Sequence, residues 1–235
     1  HYQYEMNKKI PVGSCQFSSV ATFSFHPVKT ITSGEGGAIS TNSEEIAIRA
    51  RKLVSHGIER KVQNFVGDSP SGQEPHNQQW YYEVQELSGN YRLSDINAAL
   101  GISQLRKLDT FTKKRLQLWC RYAKLLQSSN SAINFVKPHQ QNLSCWHLFI
   151  ALINFEETNI DRQTLMSNLK ARGIGTQVHY IPVYKHPIYE QKYGKMSLSG
   201  AEKYYQKCLT LPLHTEMDEE DVDRVVEAMN GIIYG

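Results

Sequence analysis

Two short apolar runs, 21–25 and 37–41, flank a loop that carries one lysine, Lys29, and three glycines, Gly34, Gly36 and Gly37. This arrangement constrains the fold more than any other feature. The two runs read as strands, and the three glycines follow the lysine within eight residues. A lysine in a loop fixed between strands can be aimed into a cavity, which Schiff-base chemistry requires. On residue type alone, most lysines are solvated surface charges and a Gly-x-Gly-Gly run is simply a turn.

Helix signals follow these runs. Asn42, with Glu45 three residues on, is expected to cap a helix whose apolar positions are Ile46, Ala50, Leu53 and Val54. The polar stretch 59–79, with Gly67, Pro70, Gly72 and Pro75, is long for a structureless connection, so it is expected to be either mobile or functional. Ser94 should cap a second helix running to 108, with Ala98, Ile102 and Leu105 among its apolar positions. A second segment begins near Thr112. Its first helix, basic at Lys113, Lys114 and Arg115, is predicted to reach about 128.

Strands are predicted at 132–136, 145–153 and 177–183. Asp161 should cap a helix carrying Leu165, Met166 and Leu169 that stops at Gly173. A last helix opens on Asp218, Glu219 and Glu220, which suits its N-terminal dipole, and turns Val222, Val225, Val226 and Met229 to one face. The pattern predicts α/β for the first part and a smaller α+β layer for the second.

The 235 residues suffice for a sizeable core, and a net charge of +3 is too small to argue for a nucleic-acid partner. No apolar run reaches membrane-spanning length, so no membrane association is expected. Cys15, Cys120, Cys145 and Cys208 are widely spaced without a Cys-x-x-Cys pair. They read as reduced thiols of a cytoplasmic protein, and no metal site is expected. The chain begins at His1 and is expected to lack a leading segment.

Four patches could carry chemistry. Ser24 to Lys29 with the glycine turn is the first. The second, residues 86–95, leads into a helix and holds Asn90 and Arg92, an amide and a guanidinium suited to an anion; a plain capped loop is the alternative. The third is His179, Tyr180, Ile181 and Pro182 at a strand end, where buried structural residues are the alternative. The fourth, 145–149, reads as core strand with His147 interior or at an edge.

Together these patches resemble the DegT/StrS family of sugar-nucleotide aminotransferases. The resemblance rests on Phe23-Ser24-Phe25-His26-Pro27-Val28-Lys29 with the following glycines, Ser55-His56-Gly57-Ile58, and Asn90-Tyr91-Arg92-Leu93-Ser94-Asp95. It continues through His179-Tyr180-Ile181-Pro182 and Leu211-Pro212-Leu213-His214, in the family's order along nearly the whole chain. Within the family the pattern is most similar to the transaminases of pseudaminic acid biosynthesis, which act on a UDP-linked 4-keto-6-deoxy-N-acetyl sugar.

The resemblance implies the C-terminal part of a fold-type I pyridoxal 5'-phosphate (PLP) transferase. Residues 1–111 would complete a large PLP-binding domain and 112–235 would form the small one. About 150 further residues, a domain's worth, would lie upstream. They would include an aspartate for the pyridine nitrogen just before the position of His1. Lys29 would be the Schiff-base lysine and Ser24 a ligand of the cofactor phosphate, while Asn90 would reach the phosphate in the neighbouring subunit of a homodimer with shared active sites. Ser24, Asn90, Arg92 and His179 to Pro182 would line the sugar-nucleotide site, and glutamate would be the amino donor. Lys29 stands against the dehydratase branch, where a histidine replaces it. A truncated, inactive binding or regulatory module of the same fold remains the alternative.

Overall fold

The computed structural model describes residues 2–5, 8–67, 78–129, 132–138 and 144–235. The chain forms two compact units, His1–Arg106 and Lys107–Gly235.

Among the described residues, the first unit is built from short antiparallel pairs and two α-helices. Strands β1 (Tyr2–Glu5) and β2 (Lys8–Pro11) pair, as do β3 (Ala21–Ser24) and β4 (Gly37–Ser40). Helix α1 spans Glu44–Val54, β5 (Ile58–Glu59) pairs with β6 (Glu83–Val84), and α2 spans Asp95–Leu105. The 21–25 and 37–41 runs pair with each other, with Ala21 opposite Ser40 and Ser24 opposite Gly37. Gly37 sits where a Cβ would fall 2.6 Å from the Phe23 carbonyl oxygen, so only glycine allows this close ladder.

One expected cap is replaced by its neighbour. Ser43, not Asn42, caps α1, its hydroxyl accepting from the Ile46 amide at 3.3 Å. Asn42 is otherwise engaged, donating to the Ser14 carbonyl at 2.9 Å. Ser94 caps α2 as expected, accepting from the Asn97 amide at 3.2 Å, but that helix ends at Leu105 and not at 108.

Part of the long polar stretch is organised by two carboxylates. Glu59 and Glu83 face each other across β5 and β6. Glu59 accepts from the amides of Arg60 and Lys61 (2.9 and 2.8 Å), and Glu83 from those of Val66 and Gly67 (2.8 and 3.0 Å). Pro70, Gly72 and Pro75 lie outside the described residues.

The second unit opens on helix α3, Leu108–Ser129, so the anticipated boundary between 111 and 112 falls inside a continuous helix. Strands β7 (Ile133–Phe135), β8 (Phe149–Ile153) and β9 (Cys208–Leu211) form an antiparallel sheet in that order. Helices α4 (Arg162–Ala171), α5 (Pro187–Tyr193), α6 (Ser199–Lys207) and α7 (Glu219–Ile233) complete the unit.

Alternate residues of β8 (Phe149, Ala151 and Ile153) are fully buried, as a half-covered strand requires. They meet Leu118 and Tyr122 of α3, Leu165 and Leu169 of α4, and Val222, Val225 and Met229 of α7 in one apolar cluster. Tyr122 stacks on Phe149 with centroids 4.6 Å apart. Each large side chain buried there contributes about 1.5–3 kcal/mol.

Asp161 caps α4 through the Thr164 amide at 2.7 Å, and Gly173 past its end has φ +75°. Asp218 and Asp221 form a capping box on α7.

Two strand expectations are corrected. The 145–153 run is extended only from Phe149. Trp146 has φ +44°, which breaks the ladder, and its indole stacks on Trp119 at 4.1 Å. Of 177–183, only Gln177 makes a β-bridge, to Thr210. Beyond it, Pro182 has no amide to offer, and Val183–Lys185 forms a 3-10 turn.

Candidate functional site

In the first unit, the turn after β3 is closed by the Lys29 amide donating to the His26 carbonyl at 2.9 Å. The Phe25 amide donates to Gly36 (2.9 Å), while the Phe25 carbonyl accepts from the Ser33 amide (3.0 Å) and the Thr32 hydroxyl (2.9 Å). The loop is thus cross-braced by backbone groups together with the hydroxyls of Thr32 and Ser33. Lys29 is half-buried, and its ammonium group makes no hydrogen bond or ion pair among the described residues. Ser24 is exposed at the end of β3, and its hydroxyl accepts from the His26 amide at 3.4 Å.

The Asn90 segment is held to the end of α1. Ser55 and Asn90 form a β-bridge, the His56 amide donates to Gly89 at 2.9 Å, and the Tyr91 amide donates to Val54 at 2.9 Å. Gly57, at φ +68°, passes so close to Glu86 that a Cβ would lie 1.9 Å from its carbonyl oxygen. No other residue fits there. The Asn90 side-chain oxygen accepts from the Arg92 amide at 3.3 Å, which leaves its NH2 group unengaged among the described residues. Arg92 donates to the Ser55 hydroxyl at 3.2 Å.

Asn97 and Ser33 join these two segments, and sequence reasoning passed over both. Asn97, in the first turn of α2, donates to the carbonyl of the fully buried Ser33. At Gly36 a Cβ would meet Leu93 at 2.7 Å, so the glycine turn lies directly against the entry to α2. The structure therefore brings the Lys29 loop and the α2 entry behind Asn90 and Arg92 together within one unit. The available signal was a polar Asn97 three residues after the capping Ser94.

His179, Tyr180, Ile181 and Pro182 belong to the second unit. His179 Nδ1 lies 2.8 Å from the Thr210 hydroxyl, and its carbonyl accepts from the Tyr204 hydroxyl at 2.8 Å. The side chains of Tyr180 and Ile181 stay 67% and 46% exposed. The segment thus combines a held, half-buried His179 with exposed Tyr180 and Ile181.

Residues 7–230 match the DegT/DnrJ/EryC1/StrS aminotransferase family. The chain belongs to that family. A family relative, the spore coat polysaccharide biosynthesis protein SpsC of Bacillus subtilis, is 34% identical across 100% of this chain and 58% of its own length. The UDP-4-amino-4,6-dideoxy-N-acetyl-beta-L-altrosamine transaminase of Campylobacter jejuni is 35% identical over 94% of this chain and 54% of its own. Among solved structures, Helicobacter pylori PseC, an aminotransferase involved in the biosynthesis of pseudoaminic acid, superposes with a TM-score of 0.82 at 28% identity. It covers 98% of this chain and 56% of that one. The fold is the fold-type I arrangement of these sugar aminotransferases, and the chain spans a little over half the length of the relatives it matches.

Proposed function

We propose that the whole protein is a PLP-dependent aminotransferase acting on a UDP-linked 4-keto-6-deoxy-N-acetyl sugar, with glutamate as amino donor, in cell-surface glycan biosynthesis. The observation that carries this reading is Lys29: a half-buried, unpaired amine in a loop braced by its own backbone and locked to α2 through Ser33 and Asn97. The relatives named as a UDP-sugar transaminase and a pseudoaminic acid aminotransferase supply the substrate class.

The donor set fits PLP. An amine suits its aldehyde, while the Ser24 hydroxyl and the free NH2 of Asn90 suit its phosphate. When bound, the cofactor supplies an electron sink for the bond broken at the amino-bearing carbon. In this reading Lys29 holds the cofactor in the resting protein and then moves a proton as an amine acting as general base. Ser24 anchors the phosphate, and Asn90 donates to the phosphate held by a second copy, making the site a homodimer property. Arg92, His179, Tyr180, Ile181 and Pro182 contact the sugar nucleotide.

Apolar α2 residues support self-association: Ile96 is 85% exposed and Leu105 57% in the single chain. A cytoplasmic setting accords with Cys15, Cys120, Cys145 and Cys208, none of which forms a disulfide. Among the described residues no helix is long and apolar enough to cross a membrane.

The test is product formation by the whole protein from glutamate and the UDP-4-keto sugar. Lys29→Ala should lower turnover by roughly a thousandfold or more, as loss of a nucleophile and base does. Turnover within tenfold of the parent would contradict the role of Lys29.

A further inference from the structure

The His179–Pro182 segment is not part of a strand, yet the segment and its two flanks are tied to β9 and α6 at three separate places. Upstream, Gln177 exchanges two backbone hydrogen bonds with Thr210 on β9 (3.1 and 2.7 Å). At its centre, His179 is held from two sides. Its ring meets the Thr210 hydroxyl and its carbonyl meets the Tyr204 hydroxyl of α6, each at 2.8 Å. Downstream, Tyr184 donates to Glu202 of α6 at 3.2 Å, and Lys185 pairs with the same carboxylate at 3.4 Å.

Thr210 is the informative residue. On β9, Leu209 and Leu211 enter the apolar cluster. Strand alternation turns Thr210 to the opposite side, where it is only 5% exposed. A buried hydroxyl needs a partner, and the His179 ring provides it. Tyr204 donates its phenol hydroxyl to the His179 carbonyl, and burial pushes that phenol above its ordinary value. Neither residue belongs to the set expected to touch a ligand. Both fix one that does.

We infer that Thr210 and Tyr204 are positioning residues for sugar-nucleotide recognition: they hold the His179 ring and backbone so that Tyr180 and Ile181 meet the substrate preorganised. The inference rests on the reading that residues 179–182 line the sugar-nucleotide site. Preorganisation of this kind lowers the ordering cost of binding. Its loss therefore falls on KM for the nucleotide sugar and spares the chemistry at the amine.

The experiment compares four variants of the whole, cofactor-loaded protein. Thr210→Val and Tyr204→Phe keep side-chain volume while removing the hydrogen bond; Thr210→Ser restores the hydroxyl; Tyr180→Ala tests the underlying site. Thr210→Val and Tyr204→Phe should each raise KM for the UDP sugar about 3- to 10-fold, the worth of one hydrogen bond, with kcat within twofold and the glutamate half-reaction unchanged. Thr210→Ser should return KM to near the parent value. If Tyr180→Ala raises KM while Thr210→Val and Tyr204→Phe do not, the positioning inference is overturned and the site reading stands. If Tyr180→Ala also leaves KM unchanged, the site reading fails and takes the inference with it. A fall in kcat and in the glutamate half-reaction for Thr210→Val and Tyr204→Phe would show a general structural role and overturn the inference as well.

Discussion

The two units hold their shape by different means. The second surrounds β8 with apolar side chains from α3, α4 and α7, several of them fully buried. In the first, neither α1 nor α2 buries a single residue, and Ile96, Leu100, Ile102 and Leu105 of α2 are 41–85% exposed. Its order comes from polar clamps and close backbone approaches: Asn97 on Ser33, Gly57 on Glu86, and the carboxylates of Glu59 and Glu83. A packed core supplies stability, whereas hydrogen-bonded loops supply geometry for a site and leave apolar faces to be covered by something else.

The largest effect that can break this comparison is autonomy. Residues 107–235 expressed alone should unfold in one cooperative transition, while residues 1–106 alone should show no cooperative melt and should bind a dye that reports exposed apolar surface. A cooperative transition in the isolated first unit would end the contrast.

Next in size is Phe149→Ala, expected to cost the second unit about 3–5 kcal/mol in denaturant unfolding because the site is fully buried and stacked on Tyr122. Leu100→Ala, on the open face of α2, should change the stability of the chain by less than about 0.5 kcal/mol.

A pH titration sharpens the picture of the polar clamps. The backbone amide of Lys61, above all, holds the Glu59 carboxyl below its ordinary value of 4.5, with Asn64, Arg60 and Lys52 adding to it against the opposing effect of burial. A carboxyl depressed in the folded state stabilises above the unfolded value and loses that contribution as pH falls through the folded one. Hydrogen-exchange protection of the Arg60 and Lys61 amides should therefore be complete above the ordinary value of 4.5 and be lost as the pH falls below it. In Glu59→Gln the same amides should exchange faster at neutral pH.

The smallest effects concern caps. Ser43→Ala and Asp161→Ala should each cost about 1 kcal/mol, and Asn42→Ala less, read from thermal midpoints. An Asn42→Ala loss larger than that of Ser43→Ala would return the cap to Asn42.

What could be read from the chain beforehand follows the same division. The faces of α4 and α7 were legible because a helix packed on a core must repeat its apolar positions, and Asp161, Gly173 and Asp218 act locally at its ends. Strands β3 and β4 were legible as apolar runs flanking the lysine loop, but their pairing was not. Nor were contacts distant in sequence. Trp146 leaves the strand to stack on Trp119, and His179 is taken by Thr210 and Tyr204, more than twenty residues further on. Asn97 reaches Ser33 across sixty-four positions. Strand β9 was missed because Cys208–Leu211 is buried along its whole length and shows no alternation. Lys29, Ser24 and Asn90 lie in patches singled out from the residues themselves; their roles entered through a resemblance, and the structure adds the backbone bonds around them.

Borohydride reduction of the whole protein with PLP, followed by mass mapping of its peptides, tests the central assignment most directly. The account predicts one pyridoxyl phosphate fixed to the peptide containing Lys29 and none on that peptide in Lys29→Ala. Label on another lysine, with Lys29 unmodified, would contradict it.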